Sequence, residues 1–396
     1  MTMKTMLILA LAVCQSAAVM AQSPTYKMKV VLNDGRRMTA LVSDVDSLTF
    51  VKLGKAEARL SERYTTSTSL GVNIDIDANV SRVCAVCVPS DMKIADVQAY
   101  VEQNKTVDAQ SSYKKSFDFL MPETQYTIYA LAYDGNGLPS MTSQLTLTTG
   151  KAADDPFRVK TSATTTTVDY TVSPATAGIR YQVMVTGRDR YERWCDEEGA
   201  NGDVLQHFIA MWKTEASWFG ATWTSQMWDY DLQRGATATD LQGHLMWDAD
   251  QVLLAFGMNQ DGTLATPIQV EKVRTLAPKP SDNKIALALK TCAFRDVTVE
   301  ATTTNADTYF VSVQPESYVG QFIGADGTID EDALLVGLCY TADNINPRTL
   351  AQSGNYTWEF SPSKAGMDYY VIAVGLDNGA PSTKPVILPK FTLPSM

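Results

Sequence analysis

The sequence predicts a mainly β fold, built as three tandem β-sandwich modules that each carry a helix-containing insertion. Three observations predict it. The chain has 396 residues, too many for one ordinary domain. Only 19% of its residues are charged, below the average of roughly 25% for globular chains, while Thr/Ser runs such as "TTSTS" and "TSATTTTV" suit exposed strand faces better than helix surfaces. Above all, two strand-like segments recur in the same order three times.

Residues 1–21 read as a secretory signal peptide: Lys4 supplies the basic start, Met6–Val13 the apolar run, and Val19 and Ala21 occupy the positions a signal peptidase reads before a cut ahead of Gln22. "LAVC" offers Cys14 as a lipid anchor, but Val13 is too large for the residue before a lipidated cysteine, which makes this the weaker reading. No later apolar run is long enough to span a bilayer. The expected location is secreted, periplasmic or at the cell surface. Residues 22–53 stand as a separate leader segment ahead of the first module.

Three sandwich modules are expected at 54–150, 151–277 and 278–396, with boundaries where Pro, Gly and Asp break the strand pattern in "TTGKAADDP" and "TLAPKPSDN". The first recurring segment is "VCAVCVPSD", "RYQVMVTGRD" and "TYFVSVQPES", aligned at Val86, Val183 and Val311. The second is "YTIYALAYDGNGLPS", "QVLLAFGMNQDGTLAT" and "YYVIAVGLDNGAPS", aligned at Ala130, Ala255 and Ala373. Each of the latter runs through an Asp/Asn/Gly turn into another strand, the pattern of an antiparallel hairpin. Between the anchors lies a helix-like stretch: "SDMKIADVQAYVEQN", "NGDVLQHFIAMWKTEA" and "DGTIDEDALLVGLCYTA". Val204, Phe208, Ile209 and Trp212 share one helical face, as do Leu334, Leu335, Leu338 and Cys339. Each helix is expected to cover one end or edge of its own sandwich.

This strand order and the recurring "Y..A.A.D.NG.PS" ending resemble fibronectin type III and immunoglobulin-like modules. The leader "YKMKVVLNDGRRMTALVSDVDSLTFV" resembles a hairpin found near the start of many exported proteins of Bacteroides-type bacteria. The resemblance implies a β-sandwich fold, an N-terminal β-hairpin segment over 22–53 and an exported compartment. It leaves activity open, because sandwiches host unrelated functions.

A net charge of -11 without clustered Lys and Arg argues against a nucleic-acid partner. His207 and His244 are the only histidines, and His207 is followed by Phe208 and Ile209 inside a helix, so structural roles are expected for them. Two histidines support no ordinary His-rich zinc site, and "GADGTIDEDAL" lacks the early oxygen ligands and final Glu of a calcium loop, so it reads as a capped helix start. The acidic candidates for a glycosidase pair, Asp229 and Asp231 or Asp196, Glu197 and Glu198, assemble no site. No catalytic residue, metal or cofactor is therefore expected, and the protein is not expected to be an enzyme. Beyond the signal the cysteines are Cys84, Cys87, Cys195, Cys292 and Cys339, an odd number that argues against a full disulfide framework. In "VCAVCV", Cys84 and Cys87 fall on opposite faces of a strand. A bridge between Cys292 and Cys339 stays open.

The remaining signal is aromatic. "MWKTEASWFGATWTSQMWDYDLQ" concentrates four of the seven tryptophans. Trp218, Trp223 and Trp228 recur every five residues, which fits neither a helix stripe nor a strand face. With Tyr230 they are the candidate ligand contacts, flat faces able to stack on a sugar. The alternative is that most of them form the insertion's own core, with one or two reaching a surface groove. The expected function is non-catalytic binding or adhesion toward a glycan or a surface protein. A scaffold or spacer in an envelope assembly is the alternative, and a carbohydrate-active enzyme, resting on the acidic candidates alone, is the weakest reading.

Overall fold

The computed structural model describes residues 26–31, 36–49, 56–341, 346–362 and 364–395. The expected signal peptide, with Cys14, lies outside the described residues, as does the hairpin turn at 32–35. The chain divides into two compact units, Met1–Leu53 and Gly54–Met396. In the first, β1 (Lys27–Val31) and β2 (Arg37–Leu41) pair antiparallel, with Val30 opposite Met38.

Three sandwiches fill the second unit. Module one contains β3 (Ala58–Thr65), β4 (Leu70–Ile76), β5 (Val80–Pro89), β6 (Val107–Ala109), β7 (Tyr113–Phe117), β8 (Gln125–Asp134) and β9 (Pro139–Thr148). They form one sheet in the order β3-β4-β7 and another in the order β6-β5-β8-β9. Module two repeats this with β10 (Phe157–Ala163), β11 (Val168–Pro174), β12 (Arg180–Gly187), β13 (Ala238–Gln242), β14 (Asp250–Met258) and β15 (Gln269–Arg274), ordered β10-β11-β13 and β12-β14-β15. Module three pairs β16 (Ile285–Ala293), β17 (Asp296–Thr303) and β19 (Tyr356–Phe360) in one sheet; in the other, β18 (Tyr309–Pro315) pairs β20 (Asp368–Asp377), which three short C-terminal strands complete. The mainly β, three-module architecture expected from the repeat is the observed one.

Register corrects the first copy of the alignment. Val183 lies opposite Ala255 and Val311 opposite Ala373, but Ala130 lies opposite Ala85, not Val86. Ala85 shares the core between the two sheets with Val83 and Ala130, whereas Val86 points to the opposite face with Cys84 and Val88. Apolar residues on both faces of this strand leave its phase unreadable from pattern alone.

Both faces are apolar because the helices lie on the sheet, not at its edge as expected. In module one, α1 (Val97–Asn104) sets Val101 against Cys84, Val86 and Leu131. In module two, α2 (Arg188–Asp196) and α3 (Val204–Phe219) pack on Val252, Leu254 and Phe256. In module three, a short helix at Glu331–Val336 and the π turn after it pack Leu334, Leu335 and Leu338 on Phe310, Ile372 and Val374. Each module is thus three layers deep, and its central strand is sandwiched, with β14 buried from Gln251 to Met258.

The Thr-rich runs also depart from expectation. Thr66, Ser67, Ser69 and Thr165–Thr167 are buried. They sit where modules meet, and Ser67, Thr165 and Thr166, with the neighbouring Thr68, spend their hydroxyls on the next module or its linker. The Ser67 backbone N–H and Oγ donate to Asp155 at 2.8 and 2.5 Å, and Thr68 Oγ1 donates to the Val270 carbonyl at 3.0 Å. Thr165 Oγ1 donates to the Asp377 carbonyl at 2.6 Å, and Thr166 Oγ1 to that of Asn378. The linkers dock alike: Gly150 N–H donates to the Thr66 carbonyl and Leu276 N–H to that of Thr164, both at 2.9 Å.

Candidate functional site

The aromatic insertion is built on α3. Asp203 caps its start, accepting from Leu205 N–H at 3.4 Å, and Gly220 ends it in the left-handed conformation at φ 64°. Val204, Phe208, Trp212 and Ala216, four residues apart, form its buried stripe. Thr222 then caps the short α4 (Trp223–Gln226), and a π turn over Met227–Asp231 buries Met227.

This path separates the four candidate residues. Trp218 lies off the stripe and is 71% exposed; Tyr230 projects from the π turn and is 77% exposed. Trp223 is half-buried, its ring parallel to that of Trp212 with centroids 6.4 Å apart. It also presses on Gly262, where an added Cβ would stand 2.2 Å from the indole. Trp228 is half-buried beneath the Arg180 guanidinium, 4.2 Å from its ring centroid, and the same arginine donates to the Trp228 carbonyl. Trp212 and Trp223 therefore serve the core, while Trp218 and Tyr230 face solvent. The regular five-residue spacing has no single structural cause: one residue ends a helix, one begins the next and one lies in the π turn.

Phe219 is a residue the sequence reading missed. Standing seven positions after Trp212 it is in phase with the stripe, yet it is 75% exposed, because the stripe outruns the apolar surface beneath it. Beside Trp228 a recess of about 130 Å³ is lined by Thr224, Ser225, Asp229 and Gln260. Asp229 is held there by Arg180 at 3.8 Å and Arg234 at 3.9 Å. The recess thus offers the half-buried Trp228 ring, a carboxylate held by two arginines, an amide and two hydroxyls, on the insertion that exposes Trp218, Phe219 and Tyr230.

Behind it, Gln226 Nε2 donates to Asp231 at 3.2 Å, and the Glu215 carboxyl meets that of Asp231. Burial first, and then the Asp231 charge, raises the Glu215 pKa; burial also raises that of Asp231, while Gln226 draws it back. A carboxyl whose pKa is raised in the fold contributes stability that is full below the ordinary value of 4.5 and is lost as pH rises through the folded value. Glu215→Gln keeps the donor without the charge. Its melting temperature relative to the parent is expected to climb as pH rises above the ordinary carboxyl value of 4.5, which thermal melts over a pH series would check.

Other polar candidates have structural partners. His207 donates from Nδ1 to Glu197 at 2.9 Å and stacks on Trp194, and His244 Nε2 donates to the Tyr340 carbonyl at 2.7 Å. Asp330 caps the helix of module three, accepting from Ala333 N–H, as the sequence implied. Asp196 accepts from Tyr113 Oη, so the acidic candidates are dispersed among separate contacts. The five described cysteines are free, which answers the open question over Cys292 and Cys339. Burial pushes the thiols of Cys87, Cys195 and Cys339 up to about 12, so they stay protonated.

No helix among the described residues is long and apolar enough to cross a membrane. No protein-family model and no curated protein matches the chain. Among solved structures it is similar to the central fibronectin-III array of RIM-binding protein, at 9% identity and a TM-score of 0.18 over 86% of this chain and 98% of that one. It is also similar to the FN1–FN3 domains of chicken CNTN1, at 11% identity and a TM-score of 0.21 over 85% of this chain and 98% of that one. At scores this low, the fold assignment rests on the strand order and pairing described above, and the likeness adds nothing on ligand or activity.

Proposed function

We propose that the protein is an exported, non-catalytic binding or adhesion protein of the bacterial cell envelope, with modules at 54–150, 151–277 and 278–396, and that module two contacts a glycan. The observation that carries this reading is the exposure of Trp218, Phe219 and Tyr230 on the insertion that also lines a recess with a carboxylate held by two arginines. Exposed rings stack on the apolar faces of sugars, while Asp229, Gln260 and the hydroxyls of Thr224 and Ser225 match sugar hydroxyls. Export rests on the signal-like segment at 1–21.

A glycan and mucin array with residues 22–396 tests the proposal beside a Trp218→Ala, Phe219→Ala, Tyr230→Ala triple variant. Binding is expected to fall about tenfold or more in the variant, with stability changed by no more than about 0.5 kcal/mol per site, because these rings are exposed. Equal binding by both chains would rule out this surface. A second reading, a scaffold, is favoured by the buried hydroxyl contacts that clamp successive modules. It predicts silence on the array and recovery of envelope partners by cross-linking.

A further inference from the structure

Between modules one and two lies a cleft of about 410 Å³, three times the volume of the recess beside Trp228. Its walls are β7 with the residues that follow it, and the side of α2 that carries Arg188, Tyr191, Glu192, Cys195 and Asp196. We propose that this cleft is a second binding site, for a polyhydroxylated ligand of about monosaccharide size, independent of the aromatic edge.

The polar groups are already oriented across the module boundary. Tyr113 Oη donates to Asp196 Oδ1 at 2.7 Å, and Tyr191 Oη donates to Asp118 Oδ2 at 2.9 Å. Arg188 Nε donates to Glu192 Oε1 at 2.8 Å. A carboxylate accepts at two oxygens, so Asp196 and Glu192 keep capacity toward the cleft after these bonds are made. Lys115, on the opposite wall, enters no ion pair among the described residues, and its charge reaches Cys195. Acceptors on one wall and an ammonium donor on the other suit the alternating hydroxyls of a sugar. The same groups select against other ligands. Asp118, Glu192 and Asp196 outnumber Lys115 and Arg188, which disfavours an anion, and so many charges would be stripped of water by an apolar ligand.

Shape and strain agree. Phe119, at the cleft wall, adopts φ 63°, a left-handed conformation costly for a bulky side chain, and its ring lies beneath the Arg188 guanidinium at 5.0 Å. Strain of this kind persists where the surroundings impose it and collects at ligand sites. The volume lies within the range of about 300–1,000 Å³ typical of small-molecule pockets, and an aromatic wall with a few convergent polar groups is their usual lining.

The test is saturation-transfer NMR on the 22–396 chain with glucose, galactose, N-acetylglucosamine and glucosamine as probes. At least one is expected to receive saturation and to bind about tenfold more weakly in both Lys115→Met and Glu192→Gln, while binding as before in Trp218→Ala with Trp228→Ala. Lys115 is half-buried and Glu192 exposed, and near-UV circular dichroism checks that the variants keep their packing. Saturation reaching none of the probes would overturn the proposal. So would binding that survives both cleft variants, or binding lost only in the tryptophan variant, which would return the ligand to the aromatic edge.

Discussion

Replacing Asp203 by alanine is expected to cost the Gly54–Met396 unit about 3 kcal/mol, the lower end of the range for removing one partner from a buried ion pair. Asp203 is 2% exposed, caps α3 in module two, and receives Arg63 at 3.3 Å and Lys114 at 3.0 Å from module one. Its loss strips the cap and leaves Arg63, itself largely buried, without an anion; Lys114 is exposed enough to turn to water. Urea unfolding would measure the cost, and a loss below about 1 kcal/mol would mean that only the cap mattered. Gly202 next to it offers a steric comparison. Gly202 has φ 81°, and an added Cβ would lie 1.8 Å from the Lys114 carbonyl oxygen, while Lys114 N–H donates to the Asn201 carbonyl at 2.7 Å. Gly202→Ala therefore presses the two modules apart without touching a charge.

The second large effect belongs to Trp212. It is fully buried among Phe208, Phe256 and Trp223, and Trp212→Ala is expected to cost about 3–5 kcal/mol, the range for emptying a core site of this size. Its indole N–H is buried without a partner among the described residues, so Trp212→Phe keeps most of the ring and removes an unsatisfied donor. Urea melts of the two variants would separate packing from polarity: a small loss for phenylalanine beside a large one for alanine is the expected result. Trp218→Ala serves as the exposed reference in the same helix, with little change expected.

The contrast between Trp212 and Trp218 shows what the sequence could reveal. The repeat, the strand order and the helix-like stretch of each module were legible because they rest on period, and the acidic run at Asp330 marked a helix start with the usual chemistry. Which tryptophan faces solvent was not legible, since that depends on where α3 leaves the sheet and on the π turn that redirects Tyr230. Phe219 lies in phase with the buried stripe and is exposed all the same. The slip of one residue at Ala85 has a similar origin, because a strand covered on both sides shows no alternation to read. Buried threonines at Thr165–Thr167 look like surface until the neighbouring module is placed on them. The cleft beside Asp196 and Lys115 joins residues far apart in the chain, and no local pattern announces it.

The helical layer also separates length from register. In every module the connection that bears the helix runs outside the two-sheet core, so its contour can lengthen while Val183 still meets Ala255 and Val311 still meets Ala373. Added chain there costs little more than loop closure, which grows only with the logarithm of length. The outer layer is thus where this architecture accepts foreign sequence, and a peptide spliced at Gly327, an open left-handed turn before the Glu331–Val336 helix of module three, would be displayed without entering any strand pairing.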